Sequence, residues 1–173
     1  MTTDISEKGL ETLIMLHMTG LDGLVPVAEG VVAEAPVPIG SGWLAGNPKD
    51  YDRTHALDVP QLFQFLQATQ PEAFKKIGMV DYKDAKDIAR LKFLARLSNE
   101  IGKRGVIDAL RKGVDHGPLH FDLFHGTPSP GNAKAAALFA KNRFSVTRQL
   151  RYSLDETRRA LDLCLFINGL PFS

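Results

Sequence analysis

The chain has almost nothing from which to build a covalent framework: one cysteine, Cys164, in 173 residues. A single thiol excludes an internal disulfide and any multi-thiolate metal centre. Its place inside an apolar run marks it as a buried structural thiol. Long hydrophobic runs are missing as well. Nothing approaches the ~18 consecutive apolar residues of a membrane span, and Met1-Thr2-Thr3-Asp4 lacks the basic start and apolar stretch of a secretion signal. The expectation is a soluble, cytoplasmic protein with no membrane partner. Charge of one sign is scarce too: 21 Lys+Arg against 20 Asp+Glu leave a formal net charge of +1. Any nucleic-acid surface must therefore be local. Gly40-Ser41-Gly42 is followed by no Lys-Ser/Thr pair, so there is no phosphate loop. No serine elbow and no Cys-His signature occur. His116, His120 and His125 match neither a helical histidine pair nor a zinc finger.

What is present reads as alternating helices and strands. Residues 4–18 predict a helix opened by a capping-box-like Asp4/Glu7 pair and stopped at Gly20. Ile5, Leu10, Leu13, Ile14 and His17 form its inward stripe, which leaves Glu11 on a solvated side. Residues 21–56 are irregular and Gly/Pro-rich, with short strand candidates at 24–27 and 31–34. Within them Asp50-Tyr51-Asp52-Arg53 reads as a solvated turn. Asp58-Val59-Pro60 then opens a helix carrying Leu62, Phe63, Phe65 and Leu66, closed by Pro71. A second helix from about Asp84 carries Ile88, Leu91, Leu94, Leu97 and Ile101 and stops at Gly102. Gly105 leads into a short helical segment, 106–112. Residues 118–124 predict a strand, and the alanine-rich run 133–141 a helix.

The C-terminal part carries the clearest pattern. Residues 144–152 alternate, with Phe144, Val146, Leu150 and Tyr152 on one face and Arg148 as the exception among them. Ser145, Thr147, Gln149 and Arg151 form the other face. A second strand, 161–167, is followed by Asn168-Gly169, the residues a type I′ hairpin turn requires. That turn pairs Ile167 with Leu170 and Phe166 with Pro171. Leu161, Leu163, Leu165 and Ile167 share one face, and Asp162, Cys164 and Phe166 the other. A carboxylate in so apolar a strand costs several kcal/mol unless paired. Its compensator is a metal ion, a basic side chain or backbone donors. Mixed order with hairpin connections predicts an α+β (α/β-like) domain, a central mixed sheet flanked by helices.

A strand aspartate, a helical glutamate and a polar strand face suit a hard divalent ion, which takes one or two carboxylates plus phosphate oxygens and can activate water toward a phosphodiester. Phe144-Ser145-Val146-Thr147-Arg148-Gln149-Leu150-Arg151-Tyr152-Ser153, followed by Ala160-Leu161-Asp162-Leu163-Cys164-Leu165-Phe166-Ile167-Asn168-Gly169-Leu170-Pro171, resembles the N-terminal nuclease region of the R (restriction and motor) subunit of type I restriction enzymes. The upstream Glu11 helix, Asp50-Tyr51-Asp52-Arg53, Thr69-Gln70-Pro71-Glu72 and residues 118–142 are similar to one subgroup of that family.

The resemblance implies a PD-(D/E)xK restriction-endonuclease-like fold and Mg²⁺-dependent cleavage of unmodified double-stranded DNA after ATP-driven translocation. It implies Asp162 as a metal ligand, with Leu161 where the motif often has proline. Glu11 is implied as the helical acid, with Glu7 its competitor. Gln149 matches a polar position of the site. Arg148, Arg151 and Arg158, with Arg159, provide a local basic stretch for DNA phosphates or balance Asp155 and Glu156. The implied partners are the modification and specificity subunits of a type I complex. The hairpin register places the residue facing Asp162 two positions beyond Ser173. The expectation is therefore that residues 1–173 are the N-terminal part of the nuclease domain, cut before the acid-x-Lys motif whose acid would complete the Mg²⁺ site, so that the site is incomplete here, with the ATP-using motor domains absent and the fragment alone inactive. The rival reading is a non-catalytic DNA- or subunit-interaction module in which Asp162 is structural.

Overall fold

The computed structural model describes residues 7–23, 40–155 and 159–172. The expected start of the first helix at Asp4, with Ile5 on its inner stripe, and the strand candidates at 24–27 and 31–34 lie outside these residues. So does Arg158. Helix α1 (Glu7–Thr19) is followed by three two-residue strands, β1 (Leu44–Ala45), β2 (Tyr51–Asp52) and β3 (Leu57–Asp58). Helices α2 (Val59–Thr69), α3 (Pro71–Lys76), α4 (Ile88–Arg104) and α5 (Val106–Lys112) follow. The chain then forms the hairpin β4 (Val114–His116)/β5 (Leu119–Phe121), helix α6 (Ala133–Phe139), and strands β6 (Phe144–Leu150), β7 (Leu161–Ile167) and β8 (Leu170–Pro171). This is an α+β fold. Its main sheet has the order β1-β6-β7-β8, parallel at β1/β6 and antiparallel beyond.

Local chemistry explains the helix starts. Asp58 caps α2 by accepting from the Gln61 N–H, with Pro60 in the first turn. Asp87, not Asp84, caps α4, accepting from the Arg90 N–H at 2.9 Å. Gly102 does not stop α4. The helix runs two residues further, to Arg104, and Gly105, at φ 81°, ends it. Pro71 closes α2, as expected, and then opens α3. The Asp50–Arg53 stretch is not a free turn, because Tyr51 and Asp52 pair antiparallel with Asp58 and Leu57. The predicted 118–124 strand is shorter, limited to Leu119–Phe121 and paired with β4.

The larger core lies among α2, α4, α5 and β5. Leu62, Phe63, Phe65, Leu66, Phe93, Leu94, Leu97 and Phe121 are fully buried there. Phe63 meets Phe74 and Tyr82 edge-on, and Phe93 meets Phe121 edge-on. A smaller cluster of Leu150, Cys164 and Phe166, with Tyr51 against it, lies on the main sheet. Among the described residues no helix is long and apolar enough to cross a membrane.

The β7/β8 hairpin has the expected register, Ile167↔Leu170 and Phe166↔Pro171, around Asn168 at φ 52° and Gly169 at φ 82°. Its turn is not a solvated tip. Asn168 is fully buried: its Nδ2 donates to the Leu123 carbonyl at 2.8 Å and to Asn142 Oδ1 at 3.0 Å, and its Oδ1 accepts from the Arg143 N–H at 2.6 Å. Gly169 lies against the start of α2, where a Cβ would collide with the Asp58 carbonyl. The turn thereby anchors the sheet to the helical core and sets where Asp162, at the far end of β7, emerges.

Candidate metal and nuclease site

Alternation in β7 works as read, but the faces differ in depth. Cys164 and Phe166 are buried, Leu163, Leu165 and Ile167 half-buried, and Leu161 and Asp162 exposed at the strand's outer end. Asp162 therefore shares a face with the small sheet cluster while its carboxylate reaches solvent. Among the described residues no lysine or arginine pairs with it.

The first helix departs most from the sequence reading. It buries Glu11, Met15 and Thr19, while Leu10 is 59%, Leu13 49% and Leu16 41% exposed. His17 is exposed as well. The inward stripe is thus built around a carboxylate, one helical turn apart from Met15 and two from Thr19. The physical reason is Arg148, which is 7% exposed and lies on β6 beneath α1. Its Nε donates to Glu11 Oε2 at 2.9 Å, its Nη1 to Thr12 Oγ1 at 2.9 Å and the Asp22 carbonyl at 3.0 Å, and its Nη2 to the Lys8 carbonyl at 3.2 Å. A buried arginine needs this many acceptors, and together they hold α1 on the sheet. The guanidinium expected at DNA points inward, so Arg148 serves Glu11 instead. Arg151 and Arg159 are exposed.

Gln149 brings the other expected residues together. Its Nε2 donates to Glu11 Oε2 at 3.0 Å and to Asp162 Oδ1 at 3.2 Å. Glu11, Gln149 and Asp162, 151 positions apart from first to last, thus form one cluster. Glu7, the competitor, is exposed in the first turn of α1 and has no described contact with it. Gln149 has φ 54°, a left-handed conformation that non-glycine residues rarely hold. Strict alternation fails there: Leu150 joins Cys164 and Phe166 rather than the face of Val146. Among the described residues no group of three or more His, Cys, Asp or Glu side chains is placed to hold a metal ion. The donor set is two carboxylates, one exposed and one buried.

Sequence reasoning missed a second polar centre. Asp58, 2% exposed, has its carboxyl pushed up to about 7, chiefly by burial, with Asp50 adding to the rise and the Gln61 N–H and Arg143 opposing it. Burial, with Asp58 close by, also raises the Cys164 thiol to about 11. Arg143 Nε donates to Gln61 Oε1 at 2.7 Å. The only signal in the sequence was the helix-capping pattern at Asp58-Val59-Pro60, which says nothing of depth.

The domain is α+β, with a strand aspartate beside a helical glutamate at one end of its main sheet. The family model described as type I restriction enzyme R protein N terminus matches residues 75–173, more than half of the chain, and the chain belongs to that family. The matched segment contains Gln149 and Asp162. Glu11 lies outside it. No curated protein and no solved structure matches the chain. The family ties the chain to the restriction endonuclease lineage, and so to restriction complexes and DNA.

Proposed function

We propose that this chain supplies the metal-binding half of a nuclease centre, in which Asp162 and Glu11 hold Mg²⁺ for cleavage of double-stranded DNA. The observation that carries the reading is the convergence of Glu11 Oε2 and Asp162 Oδ1 on one nitrogen, at 3.0 and 3.2 Å, with Asp162 open to solvent. One exposed strand carboxylate and one buried helical carboxylate supply two hard oxygen donors for a small divalent cation, which keeps water and phosphate oxygens as its remaining ligands. When bound, such an ion stabilises the leaving oxygen of a phosphodiester and lowers the pKa of its water. Asp162 offers the accessible oxygens. Glu11 offers Oε1, because its described hydrogen bonds fall on Oε2. Arg151, exposed just past β6, is the basic side chain that this reading assigns to a DNA phosphate. ATP-driven translocation and contacts with modification and specificity subunits belong to the intact R protein in this reading.

The interaction-module reading requires a structural Asp162 sealed in the core and satisfied by an arginine or by backbone donors, whereas Asp162 is exposed. The described arginine contact is to Glu11 instead, which favours the nuclease reading. The test is Asp162→Ala in the R protein that carries this segment, assembled with its partner subunits. DNA cleavage is expected to fall by at least about a thousandfold while folding and ATP hydrolysis persist, a factor that corresponds to ~4 kcal/mol of lost barrier reduction. Retained cleavage by a folded variant would overturn the assignment.

A further inference from the structure

The two carboxylates account for the ion but not for the residue between them. Resting on the reading above, we propose that Gln149 is a positioning residue: its side-chain amide holds Glu11 and Asp162 convergent before the cation arrives, and Arg148 fixes the Glu11 end.

Three observations carry this. The Gln149 Nε2 has two hydrogens and is within hydrogen-bond distance of one oxygen of each acid, 3.0 Å from Glu11 and 3.2 Å from Asp162. Both neighbours are acceptors when ionised, so the amide must turn its nitrogen, not its oxygen, toward them. Two carboxylates drawn this close repel each other. Asp162, exposed and free to rotate, would swing out without a shared donor.

The second observation is the backbone. Gln149 holds φ 54° inside a strand, where the flanking pairs Arg148↔Leu163 and Leu150↔Leu161 keep register. Gln149 and Asp162 thus face each other at the one position within that span where no ladder pair forms. A non-glycine residue stays left-handed only where its surroundings over-determine it, and such strain concentrates at functional sites. Here it turns Gln149 out, exposed between buried Arg148 and buried Leu150. The third observation is the division of labour at Glu11. Oε2 takes both Arg148 and Gln149, which fixes the carboxylate plane and turns Oε1 away from these donors.

Mn²⁺ binding to the nucleotide-free R protein that carries this segment, followed by calorimetry and by water-proton relaxation, tests the inference without reference to cleavage. The wild-type protein is compared with Asp162→Asn, Gln149→Ala and Gln149→Gly, each checked for native far-ultraviolet dichroism. Glycine accepts the left-handed backbone without strain, so Gln149→Gly keeps the fold should alanine fail to. Asp162→Asn is expected to abolish binding. Both Gln149 variants are expected to weaken it by about 10- to 100-fold, the usual effect of removing a partner that orients a metal ligand. If folded Gln149→Gly binds Mn²⁺ as tightly as wild type or tighter, while Asp162→Asn still abolishes binding, Gln149 does not position the acids and only this inference falls. If wild type binds no Mn²⁺, or Asp162→Asn binds it unchanged, the metal site and this inference fall together.

Discussion

The helical half and the α1–β6–β7 seam bury their chains with different balances of apolar and charged groups. In α4 the inner stripe is Phe93, Leu94 and Leu97, with Arg90 buried in the first turn and donating to the Tyr82 carbonyl, while Lys92 and Arg96 face water. In α1 the inner stripe contains Glu11 and Thr19 around Met15, and leucines face out. The first arrangement gains from apolar area removed from water, about 25 cal/mol per Å². The second buries an ion pair, whose desolvation takes back much of its attraction. The seam thus holds two acids beside one amide and sets a buried ion pair where the helical half has mostly apolar side chains.

The largest effects break that contrast directly. Phe93→Ala should cost about 3–5 kcal/mol by cavity formation in the helical core. Arg148→Ala should cost a similar ~3–5 kcal/mol by leaving Glu11 buried without its partner. The two differ in how they can be repaired. Replacing both charges, Glu11→Leu with Arg148→Met, should restore stability to within about 1 kcal/mol of wild type, because an apolar pair often substitutes for a buried ion pair. Urea denaturation of the three variants checks this. A double variant as unstable as Arg148→Ala would mean that the seam stabilises the fold through its charges, and the comparison would collapse.

Much of the frame was legible beforehand, for reasons visible in particular residues. Helix α5 and strand β7 have the bounds that Gly105 and the 161–167 run imply. The hairpin register followed from Asn168-Gly169 alone, since only one turn type suits those residues. Asp162 stood out because a charge buried in an apolar strand demands a reason, but the strand end that carries it is exposed, so that burial cost does not arise. The face of α1 was not legible, because a stripe rule ranks Leu10 and Leu13 above Glu11 and has no knowledge of Arg148, 137 residues away. The contact of Gln149 with both acids was hidden for a related reason. Alternation assumes extended backbone throughout, and nothing in the local residues announces φ 54°. Pairwise chemistry between distant residues is what a single sequence withholds.

A middle-sized effect concerns Asp58, a buried charge on the helical side that has no part in the proposed metal site. Its carboxyl is raised from the ordinary 3.8 to about 7. The folded state therefore keeps a proton that the unfolded chain releases between about pH 4 and pH 7. Stability from this group is full below pH 4, falls as pH rises through that window and is level above about 7. Asp58→Asn cannot ionise and retains a good helix cap. It should remove this part of the pH slope and add at most about 4 kcal/mol at pH 8, with no gain at pH 4. Thermal melts of both proteins across pH 4–8 check the sign. An equal effect at both ends would mean that Asp58 stays ionised in the fold and that the buried charge there resembles the seam after all.

The smallest effect separates charge on the surface from charge that is built in. Glu100 on α4 meets Arg96 at 3.1 Å, Lys103 at 3.8 Å and Arg104 at 3.1 Å. Lys103 is the most solvated of these partners, its side chain 69% exposed. Lys103→Ala should change stability by less than about 0.5 kcal/mol, since exposed ion pairs gain little over hydrated charges. Arg104 is its sequence neighbour but not its equivalent. Its Nη1 reaches Asp108 Oδ2 at 3.0 Å and its Nη2 donates to the Gly113 carbonyl at 2.8 Å, just past the end of α5. Arg104→Ala should cost about 1–2 kcal/mol, because the carbonyl and two carboxylates lose one shared donor. Neither should approach the loss from Arg148→Ala, measured in the same urea series. The order Arg148, Arg104, Lys103 then follows how far each cation is withdrawn from water and how many acceptors depend on it. An inversion of that order would mean that depth is the wrong variable for telling the seam from the surface.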